Sequence, residues 1–565
     1  MARQWVVHPA PGEAARVAAD LKIHPAVATI LLRRGLQSSP EIFNFLNPSL
    51  DSLESPFVFT DMQRAVDRVR LAVSRGEKIL VYGDYDVDGI TGSSILCPIL
   101  QKMGAHAETH IPHRMNEGYG LNRESLEILI QKNKYGLVIT VDNGITGVDQ
   151  IRFLTERGVD VIIVDHHTPK EEVPKAFAIL CANVGEQKGD PNLAACGLAF
   201  KFGWALLGDF KKVEEYLDLV TVGTVADLAP VTGDNRILLK YGLSVLAKTK
   251  RPGLRALMDV ARISSGNVSY RDIAFGLGPR INAAGRMGSP LNAYKLLTTQ
   301  DETEAKNLAK LLDDGNRDRQ RVEAAAFQEA AERVEREFLG PEQKVLVLES
   351  PDWHEGVLGI VAARLVERYH KPAVVIALKE KSGKGSGRSV PSLSLFDSVL
   401  QCEDLLDNFG GHAQACGLAI QKENVPLFRK KLNETVSRME ASERTPELPI
   451  DAELPFGELD AKFLRDLEKI APFGPGNKKP LFLSRGVQVR GGVKRRGKDT
   501  MRCWMTHAES RTTCEVVGFR MFERWSAAKQ GGAYDIVHQP GLVDFKGIIS
   551  IQLELEDWRP ALPRP

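Results

Sequence analysis

The chain has 565 residues, 43% hydrophobic and 26% charged, with a formal net charge of +1. Such a composition suits a globular protein with a sizeable core and allows three to five domains of roughly 100–200 residues each. It excludes nucleic-acid binding through bulk charge, so any such role must rest on local basic patches.

Seven cysteines are scattered singly without a CxxC pair, which suits a reducing cytoplasm. The opening MARQWVVHPAPGEAAR has no apolar signal core, and no run of about 18 apolar residues occurs, so neither a leader nor a membrane span is expected.

Residues 1–75 read as a helical N-terminal segment: Val17, Leu21 and HPAVATILLRRG carry helical apolar spacing before the turn-rich NPSLDSLESPF. Over 76–230 strands alternate with helices. Runs at 79–82, 137–141 and 161–164 are short, β-branched and apolar, as in parallel strands buried on both faces. Each is followed at once by polar loop residues, which predicts a site along the carboxyl edge of the sheet.

Residues 231–340 are predicted helical. The stretch 301–338 has no proline and one glycine, and Val322, Ala326, Ala330, Val334 and Phe338 fall near one face of a long bridging helix. A second α/β unit spans 341–437, with strands at 344–348 and 373–377 and a helix at 357–369. Residues 438–456 are charged, proline-bearing and aperiodic, and read as a linker. Over 457–560, alternating strands at 501–507, 512–517, 534–539 and 548–555 predict a small β-barrel. The fold class is α/β with this barrel added.

The run ILVYGDYDVDGITG (79–92) ends a strand in Asp84, Asp86 and Asp88. Three acids within five residues repel one another unless a cation lies between them, although a solvated acidic turn is the plain alternative. Similar endings occur at Asp142-Asn143-Gly144, at Asp165-His166-His167 and at Asp227 in VADLAP. If the strands are adjacent and parallel, Asp86, Asp88, Asp142, His166 and Asp227 converge. Four carboxylates and an imidazole carry too much charge for one divalent ion and suit two, with Asp142 bridging. Hard oxygen ligands favour Mg²⁺ or Mn²⁺.

Three further stretches suit a phosphate-bearing strand. Arg114 lies in the glycine- and aromatic-rich HIPHRMNEGYGL. Arg280, Asn282 and Arg286 sit among four glycines in FGLGPRINAAGRMG. In the second unit Ser386, Gly387 and Arg388 suggest a phosphate nest, and Gly410 and Gly411 would let His412 approach a strand. Near the C-terminus Arg485, Arg490, Lys494, Arg495, Arg496 and Lys498 lie close to Trp504 and Phe519, a mixture that suits single-strand binding.

DxDxDG, VDNG, VDHH and VADLAP, in this order, resemble the DHH phosphoesterase family, named for the triplet Asp165-His166-His167. The resemblance covers about residues 40–555. It implies two Mn²⁺ or Mg²⁺ ions on Asp86, Asp88, Asp142, His166 and Asp227. Asp84, Asp165 and His167 would act in support, with Asp84 also a candidate ligand. It implies a DHH metal-binding domain over 76–230, a DHHA1 domain over 341–437 and an OB domain over 457–560. Arg114, Ser386 and Arg388 would hold a 5′-terminal phosphate, and Arg280 and His412 would face the scissile bond.

The implied activity is 5′→3′ hydrolysis of single-stranded DNA, in repair and recombination. A helicase and a single-strand-binding protein would hand over the strand; a cytoplasmic monomer is expected. Two rival readings are a related hydrolase of pyrophosphate, short oligonucleotides or cyclic dinucleotides, and a binding protein that has lost catalysis. Long end-labelled strands and metal-dependent nucleotide release separate them.

Overall fold

The computed structural model describes residues 3–561 except 115, 186–187, 341, 440–446, 498, 508–509, 511, 526–531 and 546–547. The chain forms two compact units. One comprises Met1–Ser55, Leu228–Tyr241 and Thr445–Pro565; the other comprises Pro56–Asp227 and Gly242–Arg444.

The larger unit contains two sheets. Strands β2 (Lys78–Tyr82), β3 (His106–His110), β4 (Tyr135–Val141), β5 (Asp160–Val164) and β6 (Ala178–Leu180) form a parallel sheet in the order β3-β2-β4-β5-β6. Leu80, Val81, Val138, Ile139, Ile162 and Ile163 are fully buried, as helices on both faces of a parallel sheet require. The carboxyl ends of β2, β4 and β5 lie side by side, so the loops leaving these three strands are delivered to one edge.

The second sheet is mixed: β7 (Leu346–Ser350), β8 (Ala373–Leu378), β9 (Ser382–Arg388), β10 (Asn408–His412) and β11 (Ala415–Gln421) lie in the order β10-β11-β9-β8-β7. β9 reads SGKGSGR, which sequence patterning treats as loop. Its glycines alternate. A Cβ on Gly385 would fall 2.7 Å from Leu418, and one on Gly387 2.6 Å from Leu395. Large residues on neighbouring elements fill that face, while Ser386 and Arg388 occupy the other.

The 36-residue helix Glu302–Glu337 packs on the helices Pro252–Ala261, Gly278–Met287 and Leu291–Thr298 and on the second sheet's core. Ala326, Ala330, Val334 and Phe338 pack with Leu346, Leu348 and Val361 in the second core, on the face expected from their spacing.

In the smaller unit β14 (Phe482–Arg496), β15 (Thr500–Thr506), β16 (Thr513–Gly518), β18 (Ile548–Pro560) and β17 (Ala533–Phe545) pair in sequence, and β14 also pairs with β17. This closes a five-stranded barrel. Two expectations change here. The N-terminal segment is not purely helical: β1 (Gln4–Val7) pairs in parallel with β12 (Glu447–Ile450). That strand, with β13 (Ala452–Glu453) after it, lies inside the expected linker, of which 440–446 is outside the described residues. Prolines hide a period of two there: Leu448 and Ile450 are buried with Leu483 and Val537. Val27, Ile30, Leu31 and Leu46 share a core with Phe463, Phe482 and Trp525, so residues 14–46 fold onto the barrel.

Candidate metal centre and phosphate pocket

Three acidic loops reach one sheet edge and Asp227 joins them from a helix end; local geometry decides where each carboxylate points. Asp86 caps the helix Val87–Lys102, accepting from the amides of Asp88 at 2.9 Å and Gly89 at 3.3 Å. Gly89 is needed because a Cβ there would lie 2.5 Å from the Asp84 nitrogen. Asp88 is buried against the start of the helix Ala195–Leu207, accepting from Ala195 N at 2.7 Å and Cys196 N at 2.9 Å. Asp142 holds a left-handed backbone (φ 65°), uncommon outside glycine, Asn and Asp. Asp227 caps the C-terminal end of the helix Leu217–Ala226.

These side chains meet. His166 Nε2 lies 3.3 Å from Asp142 Oδ1, 3.8 Å from Asp88 Oδ2 and 3.9 Å from Asp227 Oδ2. Ligand atoms of Asp88, His166 and Asp227 fall within 4.8 Å of one another, as do those of Asp142, His166 and His167, and of Asp84, Asp86 and Asp142. Asp142 therefore belongs to two of the three groups, one drawn from the β2 loop and one from the β5 loop.

Both carboxylate oxygens of Asp84, Asp142 Oδ1 and His166 Nε2 are buried without a hydrogen-bond partner among the described residues. Burial, reinforced by Asp86, pushes the Asp84 and Asp142 carboxyls well above the usual range. Burial with Asp88 and Asp86 raises Asp227 to about 8. Orphaned buried oxygens among like charges fit divalent cations, which would reverse the sign of every one of these shifts.

His167 is held differently. Its Nδ1 lies 2.7 Å from Asp165 Oδ1, while Asp165 also accepts from the amides of His166, His167 and Ile145. Burial alone would lower the imidazole; the hydrogen bond and charge of Asp165, with Asp227 and Asp86, outweigh it and raise it to about 9. Those bonds hold Asp165 itself below its ordinary value despite burial.

Sequence reading missed Tyr119, whose hydroxyl lies 3.1 Å from His167 Nε2. It also missed Tyr270, whose hydroxyl is buried without a partner and whose pKa is raised by burial and by Asp227. A tyrosine between two glycines in GYG was the available signal for the first; nothing in the sequence marked the second.

The arginines divide into two groups. Arg286 donates to Gly356 O at 3.1 Å, and burial together with Arg114, Arg319 and Arg388 lowers it to about 10. Burial and Arg114 also lower Arg388. Its guanidinium donates to Gly387 O at 2.8 Å and Ser386 Oγ at 3.3 Å. Gly359, in the first turn of the helix Leu358–Tyr369, approaches so closely that a Cβ would lie 2.9 Å from Arg388 Nη2. Arg114, Arg286, Arg319 and Arg388 thus form a cationic pocket at a helix N-terminus. Arg319 had no sequence signal beyond the charge of its helix.

Arg280 belongs elsewhere: its guanidinium meets Asp313 Oδ1 at 2.9 Å through Nε and Nη2, and Gly276 O at 2.8 Å. Asn282 is half-buried on the same helix, Gly278–Met287. The nest expected at Ser386–Arg388 is corrected in one respect. β9 lies between β8 and β11, so its amides are spent on the ladders, Gly387 faces away, and the donors are side chains. His412 is exposed at the end of edge strand β10. In the other unit Trp504, 48% exposed, stands opposite Arg490 and Glu515, with Phe519 also exposed. Lys498 is outside the described residues.

Comparison with known proteins finds three family matches: the DHH family N-terminal domain over 78–224, the DHHA1 domain over 342–438 and the RecJ OB domain over 450–557. The single-stranded-DNA-specific exonuclease RecJ of Bacillus subtilis is 35% identical over 542 residues, spanning 95% of this chain and 68% of that protein. That of Thermus thermophilus is 36% identical over 474 residues, spanning 83% and 67%. That of Escherichia coli is 32% identical over 496 residues, spanning 82% and 84%. The crystal structure of Thermus thermophilus RecJ with Mn²⁺ superposes with a TM-score of 0.83 at 30% identity, covering 100% of this chain and 80% of that one. The same protein with Mg²⁺ gives 0.76 at 28% identity, with 100% and 79% covered.

Proposed function

Because the chain belongs to the RecJ family of single-stranded-DNA-specific exonucleases, we propose that it degrades single-stranded DNA from the 5′ end by metal-assisted phosphodiester hydrolysis. The observation that carries this reading is the pairing, within one unit, of a buried acid cluster with orphaned carboxylate oxygens and a half-buried arginine pocket.

Asp84, Asp86, Asp88, Asp142, His166 and Asp227 are the residues that would hold two Mn²⁺ or Mg²⁺ ions, with Asp142 shared between them. Bound divalent cations supply Lewis-acid polarisation of the phosphodiester and lower the pKa of a water nucleophile. The remaining work falls to the chain itself. Asp165 fixes the His167 ring through Nδ1 and raises its pKa, which suits donation to a phosphate or departing oxygen. Arg114, Arg286, Arg388 and Ser386 would take the terminal phosphate through charge-assisted bonds. Anchoring that phosphate at a fixed remove from the acid cluster gives the 5′→3′ direction. Arg280 braces the helix Gly278–Met287 through buried Asp313 and presents Asn282, with two guanidinium N–H groups left for substrate; exposed His412 is assigned a substrate contact.

The exposed cation and aromatic face around Arg490 and Trp504 would bind the strand by stacking and charge. Among the described residues no helix is long and apolar enough to cross a membrane. Action as a cytoplasmic monomer, on strands passed from a helicase and a single-strand-binding protein, extends the proposal. The deciding test is the product ladder of 5′- and 3′-labelled strands, single and duplex, with Mn²⁺ and with EDTA. Metal-dependent release of mononucleotides from the 5′ end of single strands is expected. Release from the 3′ end, or equal attack on duplex, would overturn the reading.

A further inference from the structure

Three acids of the cluster sit on elements that meet behind it. Asp88 lies in the first turn of the helix Val87–Lys102, Asp142 directly follows β4, and Asp227 ends the helix Leu217–Ala226. Two glycines let these elements touch. A Cβ on Gly92 would fall 2.6 Å from Val141 Cγ1 and 3.4 Å from Cys196 Cα. One on Gly223 would fall 2.3 Å from Thr91 Oγ1 and 2.5 Å from Cys196 Sγ. In a close-packed interior any larger residue at either point drives the elements apart.

Cys196 stands at the centre of this node, in the first turn of the helix Ala195–Leu207. Its amide donates to Asp88 Oδ1 at 2.9 Å. Its Sγ lies 3.5 Å from Val220 O and 3.6 Å from Thr224 Oγ1, so it also grips the helix that ends in Asp227. Thr91 Oγ1 donates to Val87 O at 2.8 Å and braces the turn that presents Asp88. Thr91, Cys196 and Thr224 are fully buried. Val141 adjoins Asp142, and Thr91 and Thr224 stand within one helical turn of Asp88 and Asp227. A shift at the node is therefore passed to the carboxylates with little chain in between to absorb it. In front of the node Asp142 Oδ1 is buried without a hydrogen-bond partner among the described residues, which marks the space it faces as a cation site.

We propose that Cys196, with Gly92 and Gly223, forms a positioning node that fixes the separation of Asp88, Asp142 and Asp227, and so selects the size of cation the cluster accepts, Mn²⁺ or Mg²⁺ over Ca²⁺. This rests on the reading of the cluster as a metal centre. Ca²⁺ takes more oxygen ligands at longer distances, about 2.3–2.6 Å against about 2.0–2.1 Å for Mg²⁺, so selectivity follows cavity size and stiffness. A rigid cluster discriminates between them; a loosened one does so less.

The test titrates the metal-free full chain with Mn²⁺ and, separately, with Ca²⁺ by calorimetry. The native chain is expected to bind Mn²⁺ the more tightly. Cys196→Ala opens a gap of one atom and Gly223→Ala drives in a wedge of one. Each should weaken Mn²⁺ binding by roughly ten-fold, the scale of losing a group that orients metal ligands, and leave Ca²⁺ binding nearly unmoved. Cys196→Ser keeps an atom and a donor at that point and should hold the native preference. Because Cys196→Ala removes a single sulfur, it tests the inference even where Gly223→Ala disrupts folding. An undiminished preference in folded Cys196→Ala, an equal fall in Mn²⁺ and Ca²⁺ affinity, or a native chain without preference overturns the inference. A native chain that binds neither ion sinks the metal-centre reading itself.

Discussion

At the edge of the parallel sheet, Asp84 and Asp142 are buried with carboxylate oxygens that meet no donor. In the pocket lined by the mixed sheet, Arg286 and Arg388 are half-buried among other arginines. Both are clusters of like charge assembled before their counter-ion arrives. They differ in what they can do without it. Burial and mutual repulsion push these carboxyls toward protonation, Asp227 to about 8. An arginine lowered only to about 10 keeps its charge. The acid cluster is therefore sensitive to pH and metal, whereas the arginine pocket is a permanent cation awaiting an anion. Strain of this kind is tolerable because each cluster lies in a unit with extensive apolar cores.

The largest effect expected from breaking this pairing is at Asp142. Asp142→Ala should reduce strand cleavage on the order of 10³-fold or more, a loss typical of removing a group that acts as part of a catalytic set. The metal-free variant should nonetheless melt within roughly a few degrees of the native protein, because relief of the carboxyl crowded by Asp86, Asp88 and Asp84 offsets the strain of alanine at φ 65°. A large fall in melting temperature would mark Asp142 as structural instead.

On the cationic side, Arg388→Ala should reduce the preference for 5′-phosphate over 5′-hydroxyl ends by roughly ten-fold, the scale of one charge-assisted hydrogen bond. An unchanged ratio in competition cleavage would remove it from the pocket. Outside both clusters, Trp504→Ala should weaken single-strand binding by roughly five-fold, and Arg490→Ala should lower the salt slope by about 0.7. Substitutions are the right probe there. Deleting the barrel would strip the core from residues 14–46, which fold onto it.

The smallest effect sharpens the contrast in pH response. Asp227, raised to about 8, retains a proton in the folded protein that the unfolded chain has lost. The stability it contributes is full below its unfolded value and is lost as pH rises through about 8, and His167 at about 9 acts in the same direction. The melting temperature of the metal-free protein should thus drop by roughly a few degrees between about pH 5 and pH 8.5, and Mn²⁺ should blunt the drop. A fall of equal size with and without Mn²⁺ would count against cation binding at this cluster.

How far each element is legible in the sequence depends on how its signal is encoded. Strands β2, β4 and β5 are continuous apolar runs, so they and the acids behind them are legible locally, and parallel order then forces convergence. β9 is not legible, because its glycines answer to Leu418 and Leu395 on other elements. The pairing of β1 with β12 joins residues more than four hundred positions apart, beyond any local period. Asp88 looked like one more acid, yet its carboxylate is oriented by the amides of Ala195 and Cys196, over a hundred residues away. Arg280 and Arg388 look alike as letters; only Asp313 beside one and Ser386 beside the other tell them apart. Arg319 acquires significance only from its three-dimensional neighbours, whereas Tyr119 carried a faint local signal in its flanking glycines.

Asp84, Asp86, Asp88, Asp142, Asp227 and His166 would together seat two divalent cations, with Asp142 shared between them. Calorimetric titration of Mn²⁺ into the metal-free protein tests it most directly. Two ions per native chain are expected, with fewer ions and no strand cleavage for folded Asp142→Ala. Two ions bound as tightly by Asp142→Ala, or none bound by the native chain, would contradict it.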